Sequence, residues 1–75
     1  MKRGVLRFNS ESERWQFVSD SGEVQYDMHC GDGVDIMVGS QYVHGRVEMA
    51  SDWYVIFPNA RFCLMRQSFY VARMA

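Results

Sequence analysis

Between Val34 and Phe57, apolar and polar side chains take turns along the chain. Val34, Ile36 and Val38 share one face, opposite Asp35 and Met37. Past Gly39-Ser40, Val43, Gly45, Val47 and Met49 alternate with Tyr42, His44, Arg46 and Glu48. Period-two alternation is the signature of half-buried strands. Gly39-Ser40 is a two-residue hairpin signal of the type with glycine first. Gly45 within a strand suggests a bulge or a close approach of backbone. Ala50-Ser51-Asp52 turns the chain, and Trp53 to Phe57 is apolar throughout, so both faces of that strand look covered.

The first third repeats the pattern. Leu6 and Phe8 oppose Arg7, Trp15 and Phe17 alternate with Arg14 and Gln16, and Val24 and Tyr26 alternate with Glu23 and Gln25. A polar turn at Asn9 to Ser12 and the turn signal Ser19-Asp20-Ser21-Gly22 separate these runs into a three-stranded meander. Asp27 to Gly33 reads as a loop. After Asn59 the pattern weakens, giving a short strand or single turn near Phe62 and Leu64 and a closing strand near Phe69 to Arg73. Short strands about ten residues apart predict an all-β fold, a small SH3-like, partly open barrel of five to seven short antiparallel strands. Residues 1–75 make one domain, too short for a second packed sheet.

Composition changes this picture in one respect. A chain of 75 residues that is 48% apolar, with eleven aromatic residues, has more apolar surface than a small core hides. The surplus is expected on a contact surface. The net charge of -1 provides no global attraction for nucleic acid or acidic membranes. The distribution is uneven: Lys2, Arg3, Arg7, Arg61, Arg66 and Arg73 sit near the two ends, and all nine acids lie between Glu11 and Asp52. Terminal strands that met would make one side basic, against the simpler expectation of a solvated mixture of charges. No run is long and apolar enough to span a membrane, and no apolar signal segment opens the chain. A cytoplasmic protein with reduced Cys30 and Cys63 is expected, rather than a disulfide.

Certain residues in order carry a family resemblance. They are Gly4-Val5-Leu6 with Asn9 and Arg14-Trp15, then His29-Cys30-Gly31-Asp32, an aromatic at Tyr42, Arg46-Val47-Glu48 and Trp53-Tyr54-Val55. Over residues 4 to 57 the chain resembles the bacterial domain of unknown function 5348, a small β protein with no assigned activity. The tail, with Val71-Ala72-Arg73-Met74, only approximates that family's closing strand. At fold level the chain also resembles the plasmid-borne type II dihydrofolate reductases, SH3-like barrels that form a tetramer around a pore. Their V-Q-I-Y string is absent, so no catalytic role passes to any residue here, and fold does not determine chemistry.

Several residues are of types that carry chemistry. His29, Cys30 and Asp32 could join His44 and Cys63 as metal ligands, but no C-x-x-C pair exists and a structural zinc needs four ligands. The alternative is a structural loop, in which His29 and Asp32 hydrogen-bond backbone, Cys30 packs as a small apolar side chain, and Gly31 and Gly33 supply unusual backbone angles. A Cys30 nucleophile would need a base, with His44 better placed than the adjacent His29. Asp32, Asp35 and Glu48 are candidate carboxylates for acid–base work. Asp35 and Glu48 are expected to point outward near Arg46 in surface ion pairs, which are worth about 0–1 kcal/mol. No cofactor or metal is implied.

Tyr42, His44, Arg46, Tyr54, Tyr70 and Arg73 are the candidate binding residues, expected to face solvent. Tyrosine, methionine and arginine are enriched at protein interfaces, and six methionines add adaptable apolar surface. The function expected is a small binding module for a protein partner or for itself as a homo-oligomer. The alternatives are a nucleic-acid-binding barrel using the basic terminal strands, or an oligomeric enzyme with its site at a subunit junction.

Overall fold

A computed structural model describes residues 1–75, and all regular structure in it is strand. The strands are β1 (Lys2–Asn9), β2 (Arg14–Ser19), β3 (Val24–Asp27), β4 (Gly33–Val38), β5 (Gln41–Met49), β6 (Trp53–Phe57), β7 (Ala60–Cys63) and β8 (Phe69–Met74). That is one strand more than the expected range, because the segment read as strand or single turn after Asn59 is a full strand, β7. The eight strands form one antiparallel sheet in the order β3-β2-β1-β8-β4-β5-β6-β7. The outermost strands β3 and β7 do not pair with each other, so the curled sheet stays open.

The turns follow their residues. Val38 faces Gln41 across Gly39-Ser40, and Gly39 takes φ +63° while Ser40 stays outside the left-handed region, the pattern of a glycine-first hairpin. Between β1 and β2, Asn9 Oδ1 accepts the N–H groups of Glu11 at 2.8 Å and Ser12 at 3.3 Å, and Glu13 completes the reversal at φ 56°.

Alternation puts Leu6, Trp15, Phe17, Val34, Ile36, Val47, Trp53, Val55 and Ala72 on the inner face, where all are buried. Phe8 and Tyr70 pack edge-on or tilted against Trp15 at centroid separations of 5.7 and 5.8 Å. Two buried apolar residues lie in loops, outside the alternation. Met28, in the loop after β3, is fully buried, and its N–H donates to Trp15 O at 2.8 Å. Leu64, just past β7, is held by its N–H to Trp53 O at 3.1 Å. Loop residues that close the ends of an open sheet carry no periodic signal.

Gly45 is a close-approach site, as its place in the strand suggests. A Cβ there would collide with Val55 Cγ1 and come within 3.0 Å of the Phe57 ring. The strand Trp53–Phe57 departs from its expectation: Trp53 and Val55 are buried, but Tyr54 and Ile56 on the other face are only half-covered.

Candidate functional site

The outer face of the sheet collects most of the polar chemistry. Counting three residues back from each side of the Gly39-Ser40 turn brings Asp35 opposite His44. On its other side Asp35 faces Arg73 of β8, and Arg73 in turn faces Arg3 of β1. Arg3, Arg73, Asp35 and His44 therefore form one row across four neighbouring strands.

Asp35 is the centre of that row and, contrary to the outward ion pair expected with Arg46, it is buried. Arg73 Nε donates to Oδ2 at 2.9 Å, and His44 Nδ1 lies 2.8 Å from Oδ1. An ionised carboxylate only accepts, so the imidazole donates from Nδ1 and leaves Nε2 toward solvent. The hydrogen bond from Arg73, then that from His44, holds the Asp35 carboxyl below its ordinary value, against a smaller opposing push from desolvation. Gly33 gives the ring its seat, since a Cβ there would lie 2.9 Å from His44 Cε1.

Arginines cover the aromatic rings of this face. The Arg73 guanidinium carbon lies 4.2 Å from the centroid of Tyr42, and that of Arg61 lies 5.5 Å from Tyr54. Arg46 pairs with Glu48 of its own strand at 2.8 Å, the one predicted outward carboxylate that meets it. Of the six candidate binding residues, Tyr42, His44, Arg46, Tyr54 and Arg73 share the outer face. Tyr70 does not. It points inward, 5.6 Å edge-on from Phe62, and its hydroxyl accepts the Met65 N–H at 2.9 Å. The cause is register: Tyr70 faces Leu6 of β1, whose side chain enters the core.

The His29 to Asp32 loop is structural in part. Asp32 Oδ2 accepts the His29 N–H at 2.7 Å, and the loop backbone pairs with Val47 on both sides, through Gly31 N–H to Val47 O and Val47 N–H to Asp32 O, each 2.8 Å. Gly31 takes φ +93°, whereas Gly33 has no positive φ and serves the His44 ring instead. Cys30 is exposed, not packed inside, and Cys63 is likewise exposed and free. His29, Cys30, Asp32, His44 and Cys63 are not brought together, and no group of three or more His, Cys, Asp or Glu side chains is placed to hold a metal ion. Neither thiol is a hydrogen-bond partner of the Asp35–His44 pair.

Sequence reasoning did not single out the apolar half of this face. Val24, Val18, Val5 and Val71 stand in register across β3, β2, β1 and β8. Phe69, two residues before Val71, is 66% exposed. In the sequence Val5 and Val18 stand beside the inward Leu6 and Phe17, whereas Val24 is itself one of the alternating apolar residues, and only the strand order lines the four valines up. Arg3 and Arg7 flank Val5 on the same strand face, and neither forms an ion pair in the chain.

A family model described as "Domain of unknown function (DUF5348)" matches residues 4–74. The match takes in the tail that the sequence motifs left outside, consistent with β8 being an integral strand. Among solved structures, the chain is similar to a protein from Ruminococcus gnavus, with 29% identity, a TM-score of 0.80, and coverage of 97% of this chain and 100% of that one. No curated protein matches the chain.

Proposed function

The chain belongs to the DUF5348 family, whose description assigns no activity, and we propose from its surface that it is a small binding module that contacts protein, a second copy of itself in the first place. The observation that carries this reading is the exposed apolar surface of Val24, Val71 and Phe69 along the cross-strand row Val24, Val18, Val5 and Val71, in which Val18 itself is buried. Val24 is 49% and Val71 44% exposed. Such an apolar patch suits the same patch on a second copy, because aliphatic contact is non-directional and gains roughly 25 cal/mol per Å² of apolar surface removed from water.

Protein is favoured over single-stranded nucleic acid by the state of the outer-face tyrosines. Base stacking needs open aromatic platforms beside a basic groove, and here Tyr42 and Tyr54 already carry arginines on their rings. The two exposed free thiols suit a reducing compartment, so the proposal places the module in the cytoplasm.

Sedimentation velocity from micromolar to millimolar protein tests it. The wild type is expected to associate with rising concentration, and the pair Val24→Lys and Val71→Lys to remain monomeric. A wild type that stays monomeric throughout sinks the reading. Tight oligonucleotide binding that falls steeply with salt would replace it with the nucleic-acid alternative.

A further inference from the structure

The sheet has a window. Strand β8 pairs with β1 along all six of its residues, but with β4 only at Asp35 and Arg73 and at Ile36 and Ala72. Beyond those two pairs the ladder stops. Met37 and Val38 on one side, and Phe69, Tyr70 and Val71 on the other, have no strand partner across the gap. The gap opens on a cavity of about 370 Å³ lined by Ile36, Met37, Val38, Phe57, Phe62 and Tyr70. Two exposed apolar side chains line it: Val38 at 51% and Phe62 at 43%.

We propose that this window binds an extended peptide segment of a partner protein, with one bulky uncharged side chain entering the cavity and acidic residues flanking it. Three observations select that occupant. The unpaired positions on the two facing strand edges, Met37 and Val38 against Tyr70 and Val71, suit an extended main chain better than a compact small molecule. The lining is apolar, so the entering side chain must be uncharged, because burying an unpaired charge is costly. Arg61, the only charged residue at the cavity, has no carboxylate partner in the chain and leans on Tyr54. It repels a cationic neighbour and attracts an anionic one.

The window meets the valine row at Val71, and Val24, at the far end of that row, keeps the two apart in the experiment. The probe is an acetylated and amidated seven-residue peptide, Thr-Val-Glu-Phe-Glu-Val-Thr, titrated into the full chain with amide NMR detection. Saturable shifts confined to the amides of Met37, Val38, Tyr70, Val71 and their neighbours are expected. Replacing the central phenylalanine by serine, both glutamates by lysine, or methylating the phenylalanine backbone nitrogen should each weaken binding by about tenfold or more. On the protein side, Val38→Glu should weaken it comparably, and Val24→Lys should leave it unchanged. Val38 is half exposed, so its replacement spares the core. No saturable shift at millimolar peptide overturns the proposal. So does binding indifferent to backbone methylation, and so does indole saturating the same amides as strongly as the peptide, which would mark a small-molecule pocket.

Discussion

Asp35 on β4 and Arg73 on β8 stand directly opposite each other and are joined by a 2.9 Å hydrogen bond. Their strands meet at only two residue pairs, and those pairs are the only strand pairing between β3-β2-β1-β8 and β4-β5-β6-β7. An ion pair that would be marginal on an open surface thus sits at the seam of the whole sheet, with its carboxylate buried.

Asp35→Ala is expected to destabilise the fold by about 2–3 kcal/mol, since it removes two hydrogen bonds to an ionised, buried acceptor and leaves Arg73 without its partner. Urea denaturation measures this. Asp35→Asn should recover part of the loss, because the amide oxygen still accepts from Arg73. A stability change within error for Asp35→Ala would show that the seam is held by apolar contacts alone.

The same carboxylate sets a pH dependence. Its pKa is lowered in the folded chain by Arg73 and then by His44. The unfolded chain therefore binds the proton more readily, and stability rises with pH across the interval between the two values. The contribution is present above the ordinary aspartate value of about 3.9 and is lost as pH falls through the lower folded value. Unfolding free energy measured between neutral pH and strong acid should fall below about pH 4, and the fall should shrink in Asp35→Asn.

Two glycines should respond unequally to alanine. At Gly4 a Cβ would collide with the backbone carbonyl of Val18, which cannot move without breaking the β1–β2 ladder. At Gly45 the obstacles are the side chains of Val55 and Phe57, which can shift. Gly45→Ala is expected to cost about 1–3 kcal/mol, the usual range for overpacking, and Gly4→Ala more. Thermal melts of the two variants decide the order.

Met28→Ala should cost about 2–5 kcal/mol, as for any fully buried methionine truncated to alanine. The position is a loop residue by sequence, so a measured loss within the range of surface substitutions would mean that the loop does not close the core as described.

Cys30 and Cys63 are both exposed. Two thiols should react with a disulfide reagent in the folded protein without denaturant. Cys30→Ser and Cys63→Ser should each stay within about 0.5 kcal/mol of the wild type. A thiol that reacts only after unfolding would contradict its placement.

How much of this was legible differs from residue to residue. The Gly39-Ser40 turn fixes the β4–β5 register, so the facing of Asp35 and His44 follows from counting. Five of the six candidate binding residues fall on the outer face because alternation from buried neighbours puts them there. Tyr70 fails because the weak pattern after Asn59 gives no register for β8, and register decides the face. Cys30 fails because loop residues have no face to read.

Alternation along Leu6 to Phe57 by itself determined that this protein is all-β, where its first six strands run and which residues form most of the core. A strand's side-chain period is a local property of its backbone, so no neighbour is needed to read it. Only the tertiary structure decided that β8 inserts between β1 and β4, and with it the Asp35–Arg73 seam, the valine row and the window beside it. Pairing between strands distant in the chain depends on which edges remain free after the local hairpins form, and that information is spread over the whole molecule.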